Sequence, residues 1–442
     1  MAAVGDAKEA YLAAYGRLEK ELAAEGPPWL AEVRADAIRR FGALGFPTQK
    51  HEEWRHTNPA PLTRLAFRAV EAVPLLPSGL FDVFSLRQEG PELAFINGHL
   101  VRASVQGLPP GASVASLAEV LRDDPDAVSG QLGRLVSWED HPFAALNTAF
   151  FRDGAWVHVP RGASARPIHL LHLSVPARPP LAAYPRNVIV LGAGAEATVI
   201  ESYVSLDGGV ALTNAVTEIA VGEDAKLDHY MLQHEAEQAF HVASTQIVQG
   251  RASAVHDLRA ATGGALARND VRTRFEGEGG DLRMDGLFAV HGKQHVDFHT
   301  RIDHVTPACS SLQIYKGILD GESRGVFNGK TYVRPGAQKT VARQSNKNLL
   351  LSEQALVDST PGLEIRADDV KCSHGSTIGQ LDEDAVFYMR ARGLEEWVAR
   401  GILTYAFAME ILAAVGPAGL QRRLREILHT RLPSGAWISD LV

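Results

Sequence analysis

The sequence predicts a mainly β protein, with one long central β region set between helical regions. Three observations carry this. Between residues 155 and 380, short alternating and β-branched runs follow one another and no stretch holds a helical period. Within that span, glycine-led segments recur at intervals of 27 to 30 residues. Outside it, apolar residues return at three- and four-residue spacing.

Residues 1–60 form the N-terminal helical region. Tyr11, Leu12, Tyr15, Leu18 and Leu22 mark a first helix, broken by Gly26-Pro27-Pro28; a second begins near Trp29 and stops at Gly45-Phe46-Pro47. A mixed connecting region covers 61–150, and the Pro-rich stretch 57–80 reads as irregular. The β core, residues 151–383, has predicted strands at Trp156–Val159, Asn187–Leu191, Thr198–Val204, Thr213–Val221, Leu227–Leu232, Phe240–Val248 and Val296–Ile302. The repeats start at Gly192, Gly222, Gly250 and Gly277, each a turn followed by an alternating strand. Such spacing suits stacked coils of a β-solenoid; a sandwich or barrel with regular turns is the alternative. Residues 384–442 turn helical again. Leu394, Val398, Ile402, Tyr405, Met409 and Leu412 form a stripe up to Gly416-Pro417, and a shorter helix covers about Leu420 to His429.

Composition bounds the function. The chain has 442 residues and a net charge of −8, with residues 1–60 at −1 and 384–442 at +1, so the whole excess lies in 61–383. A nucleic-acid footprint has the opposite sign. The N-terminus is charged and lacks the apolar run of a signal peptide, and Gly401 to Val415 is too short to span a bilayer. Two cysteines, Cys309 and Cys372, exclude a disulfide framework. A soluble cytoplasmic protein without membrane or nucleic-acid contact is the expectation.

Two segments carry candidate chemistry. In Lys371-Cys372-Ser373-His374, an extended backbone puts Cys372 and His374 on one face, where thiolate and imidazole hold a soft metal or the corner of an iron–sulfur cluster. The blander reading is a small packed thiol, since two ligands do not complete a site. In His295-Val-Asp297-Phe-His299, the alternation sets two histidines and a carboxylate on one strand face, the donor set of a metal-dependent β-fold enzyme. Its alternative is a ladder of cross-strand hydrogen bonds. His229, His234 and His241 are scattered in a β context and read as structural. GxxxxGK[ST], GxSxG, HExxH and CxxC are all absent, and Gly192-Ala-Gly194 is no dinucleotide loop.

The stretch Lys316 to Leu394 carries a resemblance. KGILDGESRGVFNGKTYVRPGAQKT and the later ADDVKCSHGSTIG closely resemble the SufB/SufD family of iron–sulfur cluster assembly proteins. GFPTQKHEEWRHT (Gly45–Thr57) and HVDFHTRIDH (His295–His304) also look like family segments, so the likeness spans essentially the whole chain. It implies a right-handed parallel β-helix core flanked by N-terminal and C-terminal helical regions. It also implies pairing with a SufB-like paralogue, and binding of a SufC-like ATPase through the C-terminal helical region after Phe387. The missing phosphate loop then belongs to the ATPase, and the chain is a non-enzymatic scaffold subunit that builds and transfers nascent clusters.

Within the family, the cluster-building cysteine of SufB-like chains falls where this chain has Asn346, and the SufB glutamate falls at Gly375. Both departures place the chain on the SufD side. His374 is then this chain's contribution to a nascent cluster shared with the partner, with its second ring nitrogen oriented by an acceptor behind it. Cys372 is a second cofactor-binding candidate or a packed thiol beside the ligand. No tightly bound cofactor is expected on the isolated chain, and a homodimer is the other arrangement that β-helix edges support.

Overall fold

The computed structural model describes residues 4–65, 67–70, 74, 79–86, 90–206 and 208–431. Helices Val4–Ala24 and Pro28–Leu44 match the two N-terminal stripes, with Pro27-Pro28 at the second helix's start and Gly45 at its C-cap, its N–H bonded to Phe41 O. In the stretch expected to be irregular, a single helical turn occupies Ala60–Thr63; residues 66, 71–73 and 75–78 lie outside the described residues.

The central region is a parallel β-solenoid of about eight turns. Successive strands alternate between two sheets, and each pairs in parallel with the strand one coil earlier and one coil later. Glu196 thus lies beside Lys226, Lys226 beside Ala254, Ala254 beside Asp281, Asp281 beside Ser310, Ser310 beside Val341 and Val341 beside Lys371. These partners stand 27 to 31 positions apart, which is the repeat period read from the glycines. All seven predicted strands lie inside observed ones, and no helix interrupts 155–380 among the described residues.

The repeated glycines form the corner between the sheets. Gly222 N donates to Leu191 O and Gly250 N to Val221 O, so each corner hangs from the one before. A side chain is excluded by the stack: a Cβ on Gly277 would lie 2.1 Å from Arg251 N. Two or three residues further on, each corner holds a left-handed residue (Gly194, Asp224, Ala252, Gly279, Ala308, Lys339), whose N–H reaches the following coil, as from Asp224 N to Arg251 O at 2.8 Å. That recurring bond offsets the roughly 1–2 kcal/mol that a non-glycine residue loses there.

Three apolar layers result. Between the sheets lies the solenoid core, including the ring series Phe288, Phe298, Tyr315 and Phe327. The N-terminal helices cover the outer face of one sheet, packing Tyr11, Phe41, Phe46, Trp54 and Phe143 against Leu212, Phe240 and Leu266. Helices Glu396–Leu412 and Ala418–Arg431 cover the other, setting Tyr405, Ile411, Leu412 and Leu424 on Tyr230, Leu258 and Leu287. No helix among the described residues is long and apolar enough to cross a membrane.

Interior glycines make room for the rings. A Cβ on Gly286 would sit 2.2 Å from the ring of its register neighbour Tyr315. Gly286→Ala should therefore destabilise the protein by about 1–3 kcal/mol through displacement of that ring. Urea unfolding checks this, and an unchanged midpoint would contradict the packing argument.

Candidate functional site

The His295–Asp297–His299 face meets the N-terminal segment. Strand His295–His304 turns these side chains outward, and the loop around Glu52–Trp54 folds over them. Thr57 Oγ1 donates to Asp297 Oδ2 at 2.5 Å and lies 2.9 Å from His295 Nε2. Arg268 Nη1 reaches Asp297 Oδ2 at 2.8 Å and Glu53 O at 2.6 Å, and its guanidinium lies 4.0 Å from the centre of the Trp54 ring. His299 stands 3.0 Å from Asp297 Oδ1 and 3.1 Å from Glu53 Oε2.

Charge in this cluster is settled by its neighbours. Burial opposes a proton on His299, but the charge and hydrogen bond of Asp297 and the hydrogen bond to Glu53 together outweigh it, and the pKa is pushed up to about 9. Burial likewise opposes charge on Asp297, yet His299 and Arg268 hold that carboxyl well below the usual range. The hydrogen bond from His299 does the same for Glu53. A metal needs a deprotonated imidazole and an unengaged carboxylate. Here the imidazole is held protonated and the carboxylate is taken by a guanidinium. The alternation that suggested a metal enzyme instead makes a clamp between the N-terminal segment and the solenoid. No group of three or more His, Cys, Asp or Glu side chains among the described residues is placed to hold a metal ion.

Cys372 and His374 lie on Lys371–Gly379, the last strand of its sheet. Register sets Cys372 beside Ala342, His374 beside Gln344 and Ser376 beside Asn346, and those three neighbours are buried inside the solenoid. Cys372, His374 and Ser376 thus continue the interior-facing row, but no coil follows among the described residues, and His374 is exposed. Beside them Leu356, Ile365 and Ile378 are 58%, 43% and 48% exposed, an apolar surface at the open end.

Cys372 packs with Val370 beside Val333, Ala337 and Ala367, and burial pushes its thiol pKa up, which favours the protonated form. Cys309 is buried in a corner, its Sγ 3.5 Å from Gly277 O. Asn346 is fully buried. Its Nδ2 donates to Tyr315 O at 3.2 Å, while Oδ1 accepts from Asn348 Nδ2 at 2.6 Å and Ser359 Oγ at 2.7 Å. It is an amide bonded at both its nitrogen and its oxygen, at the position where the resemblance puts a cysteine in SufB-like chains.

The C-terminal stripe is covered. Val398, Tyr405 and Leu412 are buried, whereas Phe387, Tyr388 and Trp397, which lie off the stripe, are 71%, 58% and 49% exposed. Phe407 and Glu410 face the solenoid. Lys316, only 5% exposed at its side chain, donates to Phe407 O at 2.8 Å and lies 2.5 Å from Glu410 Oε2.

With this geometry in place, known proteins give the family. The model described as "SUF system FeS cluster assembly, SufBD core domain" matches residues 175–407, and the SufBD N-terminal region matches 5–170. The chain belongs to the SufBD family. It is 33% identical to the SufBD family protein slr0076 of Synechocystis, over 91% of each chain. It is 32% identical to Escherichia coli SufD over 90% of this chain and 92% of that one, in keeping with the assignment made from Asn346 and Gly375. A chloroplast protein of Arabidopsis thaliana is also 32% identical, over 87% of this chain and 82% of its own length.

Sequence reasoning quoted both halves of the clamp, 45–57 and 295–304, without a signal that they touch. It passed over Arg268, Lys316 and Gln344. The polar run Gln344, Asn346, Asn348 at alternate positions, where apolar interior residues belong, was the available signal for the last.

Arg268→Met should cost about 3–5 kcal/mol, because it takes the guanidinium away from the carboxylates of Asp297 and Asp270. Proteolysis within 45–60 should accelerate, while an unchanged rate would mean the segment is held otherwise. The His299 contribution is complete below the unfolded histidine pKa of about 6.5 and is lost as pH rises through about 9. Protection of residues 45–60 should fall across that window, and His299→Gln should flatten the profile.

Proposed function

We propose that this chain is a non-enzymatic scaffold subunit of an iron–sulfur cluster assembly complex, working in the cytoplasm. It offers His374 to a nascent cluster whose remaining ligands come from a SufB-like partner seated on the open end of the solenoid. One observation carries the reading: His374 continues an interior-facing row at an end uncovered among the described residues, with the raised-pKa thiol of Cys372 two residues away. A neutral imidazole is a fitting nitrogen ligand, but one imidazole does not hold a cluster. The family membership and the similarity to Escherichia coli SufD support the cluster role.

The exposed Phe387, Tyr388 and Trp397 supply the aromatic anchors that protein interfaces favour, and they lie in the segment assigned to a SufC-like ATPase. Lys316 ties the same helical region to the strand Ser310–Leu319, two strands from the one bearing His374. Nucleotide-driven movement of the helices would therefore be felt near the open end.

His374→Ala should leave the fold and co-purification with SufB- and SufC-like partners intact. Clusters reconstituted on the complex from ferrous iron and sulfide should fall to a small fraction of wild type, read by their charge-transfer absorbance. Normal cluster yield in this variant would remove His374 as a ligand, and failure to co-purify any ATPase would remove the scaffold reading.

A further inference from the structure

The interior row beneath His374 is a ladder of polar side chains with one bond left open. Met284, Gln313, Gln344 and His374 stand in register on four successive strands of one sheet. Gln313 Nε2 donates to Met284 Sδ at 3.5 Å. A thioether only accepts, so the nitrogen of Gln313 faces Met284 and its Oε1 faces the next rung. There Gln344 Nε2 donates to Gln313 Oε1.

The orientation of Gln344 follows from these two bonds. Its nitrogen donates to the rung below and lies against the opposite wall, where a Cβ on Gly329 would come within 2.1 Å of it. Its oxygen remains. Gln344 is 5% exposed, and Oε1 is buried without a hydrogen-bond partner among the described residues. An unpaired buried acceptor costs about 1–3 kcal/mol and calls for a reason. The rung above it is His374.

We infer that Gln344 is the positioning residue for His374, accepting one ring N–H so that the other nitrogen faces the metal. The two existing bonds run in one sense, Gln313 donating to Met284 and Gln344 to Gln313, and the inferred bond from His374 to Gln344 continues it. The acceptor fixes the imidazole tautomer and ring plane, as ligating histidines elsewhere require. The same bond ends the unpaired state of Oε1, so partner binding that orders His374 also satisfies the interior. This rests on the reading of His374 as a cluster ligand, and Gln344 itself touches no iron.

The test uses the assembled complex with its SufB- and SufC-like partners, loaded with ferrous iron and sulfide. Gln344→Met keeps length and apolar bulk but has no strong acceptor; Gln344→Glu restores one. Gln344→Met should lower cluster yield about 10–100-fold. It should also weaken the histidine nitrogen coupling in pulsed electron paramagnetic resonance of the reduced cluster. Gln344→Glu should recover both. Thermal unfolding of each variant separates this from a damaged fold, because the nitrogen coupling of clusters that still form does not depend on yield. Wild-type yield and coupling in Gln344→Met, with His374→Ala still defective, would overturn the inference alone. Normal yield in His374→Ala would overturn the reading beneath it.

Discussion

Each coil of the solenoid takes its position from the backbone ladder of the coil before it, and the rest of the molecule depends on that parallel register. Because strands pair one coil apart without slippage from Glu196 to Gly379, equivalent side chains stack in rows. A one-residue slip would send every interior side chain to the outside. Buried charge reinforces the register. Glu201, His229 and Asp257, from three successive coils, are joined at 2.9 and 2.7 Å, and Arg259 completes the set on Asp257 at 2.8 Å. Removing one member would strand the others in the interior.

A stack of this kind has two ends, and the chain treats them differently. At the first, the antiparallel strands Ser113–Ser116 and His99–Ser104 close the sheets. At the last, strands Leu356–Ile365 and Lys371–Gly379 present edges unpaired among the described residues, exposed apolar residues and an interior row with polar members. Open edges are liabilities that natural proteins cover. A proposed partner at this end thus answers a structural need and a chemical one together, since the same row carries His374.

The outer faces are joined to the helical regions by chemically different contacts. On one side, Arg268, Asp297 and His299 pin the N-terminal segment with charge whose protonation states are set by mutual contact. On the other, Lys316 holds Glu410 and Phe407 beneath an otherwise apolar interface. Both charged contacts use outward positions on strands of the middle and late coils, so the helical regions report on the same coils that lead to the open end.

By itself, the sequence determined the helix–β–helix order, the coil period and seven of the strands, because alternation and corner glycines are local signals that repeat. The run around Cys372 also pointed to the family, and Asn346 and Gly375 to its SufD side, since a distinctive motif is read without knowing its surroundings. Tertiary structure alone decided what the donor patterns mean. His295, Asp297 and His299 share a face as expected, but only packing brought Arg268 and Glu53 to them and turned a plausible ligand set into a clamp. In the same way, His374 and Gln344 are 30 positions apart in sequence and adjacent in register. Contacts across coils are set by where the stack begins and ends, and no local pattern records that.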